Sequence, residues 1–142
     1  MYASLQDMLD AFGEDEVVAL TDREDTGSVV EAVALDAIAR ASSEADSYLS
    51  VRYAVPVATV DKALIDAVCQ IARYRLTGTD VNETDPIQQR YDRAVKWLER
   101  VARGDANLPG LEDAATTAGD VLFSTGRRDW QRREASPELG DD

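Results

Sequence analysis

The side chains that carry most enzyme chemistry are scarce in this chain. Its 142 residues contain no histidine and one cysteine, Cys69. That excludes His-based triads and His–metal centres, an intrachain disulfide and a Cys-rich zinc site. Cys69 falls inside an apolar helical pattern beside Val68 and reads as a small buried hydrophobe, with no imidazole to activate it. Glu14-Asp15-Glu16 supplies three carboxylates, but consecutive residues of a helix point in different directions and do not converge on a cation. Asp22-Arg23-Glu24-Asp25 lacks the alternate spacing of a calcium loop. No phosphate-cradling glycine loop, dinucleotide fingerprint or nucleophile elbow occurs. Arg73 and Arg75 flank Tyr74, and the expected role is an inter-helical ion pair, with Asp46 or Asp92 as partner. No cofactor is implied, and an enzyme is disfavoured, leaving only carboxylate-only chemistry.

The elements that must position these side chains read as helices. Hydrophobic residues make up 44% of the chain, aromatics 6%, and Ala, Val and Leu lead the apolar set. Ser4 caps a short helix to Phe12 with Leu5, Met8, Leu9 and Phe12 on one face, and Gly13 ends it. A second short helix covers Glu14 to Leu20. Ser28-Val29-Val30-Glu31 is a capping box opening the longest helix, Ser28 to Leu49, with an alanine-rich stripe. Pro56 forces Val55 to be extended, so Ser50 to Val57 is an ordered crossing loop. Thr59 or Val60 to Thr77 is the third long pattern, stopped by Gly78. Asp85-Pro86-Ile87-Gln88 starts another helix that runs to Arg103, with Gly104 as its stop. The expected core is Leu9, Phe12, Val33, Ile38, Leu49, Leu64, Val68, Ile71, Tyr91, Val95 and Leu98. The fold class is all-α: a bundle of three long helices plus short N-terminal ones over residues 1–104, followed by an extended C-terminal arm over 105–142 carrying a short β-strand.

Charge limits the partners. Lys+Arg 15 against Asp+Glu 28 gives a net charge of −13, so the surface as a whole repels nucleic acid. The start lacks a basic and apolar leader pattern, and no apolar stretch is long enough to span a bilayer, so the expectation is a protein made in a reducing cytoplasm. The exception to the acidic surface is a basic island, Arg127, Arg128, Arg132 and Arg133 around Trp130, just after the strand candidate Val121, Leu122 and Phe123. A short strand is unstable alone, so these residues are expected to dock on a partner by strand addition, anchored by Trp130 and the arginines. On the long helices, Glu31, Asp36, Arg40 and Glu44 face outwards from one and Arg90, Arg93 and Arg100 from another. Opposite-sign faces of this kind suit a head-to-tail contact between neighbouring subunits.

Several segments resemble the Mu-like phage neck proteins. The opening Met1 to Glu16, the stretch Tyr48-Leu49-Ser50-Val51-Arg52-Tyr53-Ala54-Val55-Pro56-Val57, then Ile71 to Leu76 and Arg90 to Leu98 match in order and approximate spacing. Val51 stands where that family usually has glycine. The resemblance implies a structural virion protein of the neck: a head–tail connector or adaptor, forming a dodecameric ring beneath the portal protein and above a downstream neck or tail-completion protein. Genomic DNA would pass through its channel without sequence-specific binding, and an acidic inner wall would help it pass. The alternatives are a head-completion or stopper protein of the same neck and, from another class, an acidic regulator that mimics DNA charge.

Overall fold

The computed structural model describes residues 1–77 and 85–114. The Gly78 stop, the cap expected from the Asp85 side chain, the Val121–Phe123 strand and the basic island lie outside them. Five helices occur among the described residues: α1 (Leu5–Phe12), α2 (Glu14–Thr21), α3 (Glu31–Leu49), α4 (Lys62–Thr77) and α5 (Asp85–Arg103). The all-helical bundle expected from the periodicity is present. Helices α3, α4 and α5 each pack on the other two, whereas α1 and α2 pack on α3 and α4.

The alanine stripe explains the centre. Ala34, Ala41 and Ala45 of α3 are fully buried and Ala37 nearly so. With only a methyl group at each contact, the neighbouring helices come close enough for Ile38, Leu64, Val68, Ile71 and Leu98 to interdigitate without exposure. Of the expected core, those five and Leu49 are buried. Leu9, Phe12, Val33 and Tyr91 pack against its margin, and Val95 is only partly buried while Ala94 beside it turns in. Met8, Val17, Tyr2, Tyr53, Val57 and Leu108 complete the core.

Two helix starts differ from the sequence expectation. The capping box at Ser28 does not begin α3. Thr21, buried at the end of α2, donates its hydroxyl to the Val17 carbonyl at 2.7 Å and accepts the Val30 N–H at 3.1 Å. That tie holds Val30 extended, so the helix starts at Glu31, three residues after Ser28, with the Val30 carbonyl accepting from Val33 and Ala34. Helix α4 begins at Lys62 rather than Thr59 or Val60. Asp61 precedes it, taking the Leu64 and Ile65 amides on its carbonyl and the Ala63 amide on its carboxylate at 3.2 Å. The first helix keeps its expected start: Ser4 and Asp7 form a reciprocal capping box.

Gly13 and Gly104 do the work assigned to them. Gly13, at φ +86°, ends α1 and turns the chain directly into α2. Gly104, at φ +89°, follows α5. Its N–H reaches the Val101 carbonyl at 3.1 Å and the Asp105 N–H reaches that of Arg100 at 2.9 Å, the paired bonds of a Schellman stop.

Candidate functional site

Chemistry-bearing groups are mostly used up in holding the fold. Cys69 is buried, and burial, with Asp7 and Asp66 adding to it, pushes its thiol up to about 12, so no thiolate forms near neutral pH. Glu14 and Asp15 face solvent while Glu16 turns inward, so the three carboxylates diverge as expected. Asp22 serves its own loop, accepting from the Thr26 hydroxyl and from the amides of Glu24 and Gly27. Bonding with Thr26, ahead of the other amide bonds, holds its carboxyl below the usual range. Among the described residues no group of histidine, cysteine or carboxylate side chains could hold a metal ion, and no helix is long and apolar enough to cross a membrane.

The arginines are paired, but not with the expected partners. Arg73 bonds to Glu16 rather than Asp46 or Asp92, and its guanidinium lies 4.8 Å from the Phe12 ring centroid. Asp46 is taken by the Tyr2 hydroxyl, which also accepts the Val57 amide at 3.0 Å, while the Tyr2 amide donates to Ser42 at 3.0 Å. Asp92 accepts from Gln88 on its own helix at 3.2 Å. Sequence reasoning missed this because α1 and α2 fold back over α4, a contact that no spacing along the chain encodes. Arg75 pairs with Glu44 at 2.5 and 3.1 Å, and Glu44 also accepts the Tyr91 hydroxyl at 2.9 Å. Tyr91 in turn stacks on Tyr74, with ring centroids 4.1 Å apart.

Arg52 is the most connected side chain of the loop between α3 and α4. One guanidinium nitrogen donates to the carbonyls of Val101 at 2.8 Å and Ala106 at 3.0 Å. The other reaches Asn107 at 3.0 Å and Asp113 at 2.8 Å. The Ala114 amide returns to the Arg52 carbonyl at 2.7 Å, and the Leu108 amide donates to the Tyr53 hydroxyl at 3.3 Å. The Arg52-Tyr53 pair therefore clamps the chain after α5 onto the loop after α3. Val51 sits beside it, 69% exposed and at an ordinary negative φ, so this turn does not require glycine.

The chain belongs to the Bacteriophage Mu Gp36 family. The family model matches residues 2–124. The chain is similar to the Mu-like prophage FluMu protein gp36 of Haemophilus influenzae, 38% identical over 103 residues covering 70% of this chain and 71% of that one. It is also similar to gene product J of Escherichia phage Mu, 32% identical over 127 residues covering 85% and 86%. This is a protein of a Mu-like phage family, as its residues suggested. The segment Tyr48 to Val57 lies within the family match and holds the Arg52-Tyr53 clamp in this Gp36 member.

The remaining residues expected to contact neighbours lie as follows. Glu31 is exposed in the first turn of α3. Asp36 and Arg40 are exposed but pair with each other at 2.8 Å. Glu44 is engaged within the chain, its side chain only 15% exposed. Arg90, Arg93 and Arg100 are exposed on α5. Arg90 and Arg93 border a shallow groove of about 380 Å³ between α4 and α5, floored by Ala63, Ala67, Ala94 and Trp97.

Proposed function

We propose that this protein is a structural component of the phage neck: a head–tail connector, or adaptor, that assembles as a ring beneath the portal and links the DNA-filled head to the tail. The observation that carries this reading is membership of the Gp36 family over nearly the whole of the described chain, taken with the neck-protein resemblance of Tyr48 to Val57. A closely packed helical body supports it, because such a body transmits force and docking geometry without large internal motion. In this reading the Val121-Leu122-Phe123 segment and the island of Arg127, Arg128, Trp130, Arg132 and Arg133 reach the portal or the adjacent subunit.

The test combines the full chain with the portal protein of the phage or prophage that encodes it, followed by mass photometry and negative-stain microscopy. Rings seated on the portal are expected. A variant ending at Gly119 should keep its helical circular dichroism, since the packed core ends before that point, and should fail to dock. A chain that remains small and ignores the portal, yet binds a nuclease, would overturn the connector reading in favour of a charge mimic.

A further inference from the structure

Among the described residues, one helix gathers most of the cations that have no carboxylate partner. On α5, Arg90, Arg93, Lys96, Arg100 and Arg103 recur at intervals of three or four residues, so they share one side of the helix, and all are exposed. Arg103 approaches Asp105 at 3.8 Å. The other four have no carboxylate partner among the described residues, whereas Arg40, Arg52, Arg73 and Arg75 are all paired. The stripe borders the groove whose floor is Ala63, Ala67, Ala94 and Trp97. An open groove of small apolar residues with a half-buried tryptophan, rimmed by unpaired guanidinium groups, fits an acidic helical surface.

The same chain offers that surface elsewhere. Asp10 on α1 and Glu14 and Asp15 on α2 are exposed and pair with no cation among the described residues. Helices α1 and α2 pack on α3 and α4 and do not touch α5. The basic stripe and the acidic helices are thus separate patches of opposite sign. Two such patches on one molecule generate a heterologous, head-to-tail contact. By contrast, Glu31 is the one acid of α3 without a partner among the described residues: Asp36 is neutralised by Arg40, Glu44 is consumed by Arg75 and Tyr91, and Asp46 accepts from Tyr2.

We infer that the α5 stripe and the groove beside it receive the α1–α2 acidic surface of a second copy of this chain. This inference rests on the connector reading and gives it an interface. DNA is the less suited occupant. The net charge of −13 opposes it, and Asp66 in the groove and Asp92 and Glu99 on α5 place carboxylates among the arginines.

Complementary charge reversal tests the interface. Arg90→Glu with Arg93→Glu makes one variant, and Asp10→Lys with Glu14→Lys and Asp15→Lys makes the other. All five positions are exposed, and circular dichroism is the check that each variant stays helical. With the portal present, each variant alone should lose the ring, and a one-to-one mixture should regain it, because reversed patches pair with each other and native patches with each other. On the wild-type chain, carbodiimide cross-linking of mixed light and heavy-isotope protein should join Lys96 to Asp10, Glu14 or Asp15 between copies. That readout needs no variant to fold. Rings from either variant alone, no rescue on mixing, or cross-links from Lys96 to other surfaces would overturn the inference while leaving the connector reading standing. Unchanged rings with loss of salt-sensitive binding to a DNA duplex would assign the stripe to DNA. A wild-type chain that never assembles would overturn both.

Discussion

Arg52 and Arg73 are both largely buried, and their surroundings give them opposite mutational signatures. The Arg52 guanidinium bonds four groups spread over the end of α5 and the chain after it, two of them main-chain carbonyls. Arg52→Ala should cost about 2–4 kcal/mol, since a buried acceptor stripped of a charged donor loses more than an average hydrogen bond. Arg52→Lys should recover only part of this, because an ammonium cannot fork between two targets. Urea unfolding of the three proteins checks the order. Arg73 bonds only through the nitrogen facing Glu16; its Nε and remaining Nη find no acceptor among the described residues. Glu16 is a third exposed and can turn to water. Arg73→Met, which keeps contact with Phe12 and removes the unsatisfied donors, should lie within about 1 kcal/mol of the parent. Arg73→Ala should be clearly worse than Arg73→Met by the same assay, as the stem packing is lost too. In the packed core, Leu98 is fully buried, and Leu98→Ala should cost about 2–5 kcal/mol.

At the scale of elements, the joints are held by polar side chains whose protonation states matter. Burial, with hydrogen bonds to Asp46 and Glu44 respectively, pushes the Tyr2 and Tyr91 hydroxyls up to about 12 from an ordinary value of 10.0. A tyrosine with a raised folded value binds its proton more tightly in the native state. The stability this provides is fully present below the unfolded value, and it is lost as pH rises from there through the folded value. Melting temperature should therefore fall steeply above about pH 10, and Tyr2→Phe should flatten that fall while lowering stability at neutral pH. On the acid side the sign reverses. The Ser4 bonds hold the Asp7 carboxyl below its usual value, and the Asp22 loop does the same. Their contribution is present above the ordinary carboxylate range and disappears as pH falls through the lowered values, so the α1 cap and the loop before α3 should loosen first in hydrogen exchange under acid. At the α5 stop, Gly104→Ala should destabilise by about 1 kcal/mol or more, because φ +89° strains any residue with a Cβ.

At the scale of the whole molecule, charge separates into patches that no single helix displays. Ring assembly through the α5 stripe should weaken progressively with added salt, as exposed ion pairs are screened, while the melting temperature of the single subunit changes little because its own contacts are mainly apolar. Mass photometry and differential scanning calorimetry over one salt series distinguish the two responses.

Much of the helical architecture was legible along the chain. The 3.6-residue spacing of Ile38 and Leu49, of Leu64, Val68 and Ile71, and of Leu98 placed those residues inside, and Gly13 and Gly104 marked their helix ends, because periodicity and backbone conformation are local properties. The absence of histidine and of paired cysteines likewise bounded the chemistry from composition alone. Tertiary structure decided the rest. Ser28 had the chemistry of a cap, but the Thr21 hydroxyl held Val30 and moved the start of α3. Arg73 met Glu16, 57 positions away along the chain, and Arg52 met residues after α5. Glu44 looked like a surface acid and became the shared acceptor of Arg75 and Tyr91. In each case a long polar side chain has several partners of suitable chemistry in the sequence. Which one it reaches depends on how the helices pack, and that packing is chosen by the burial of the apolar stripes rather than by the polar groups themselves.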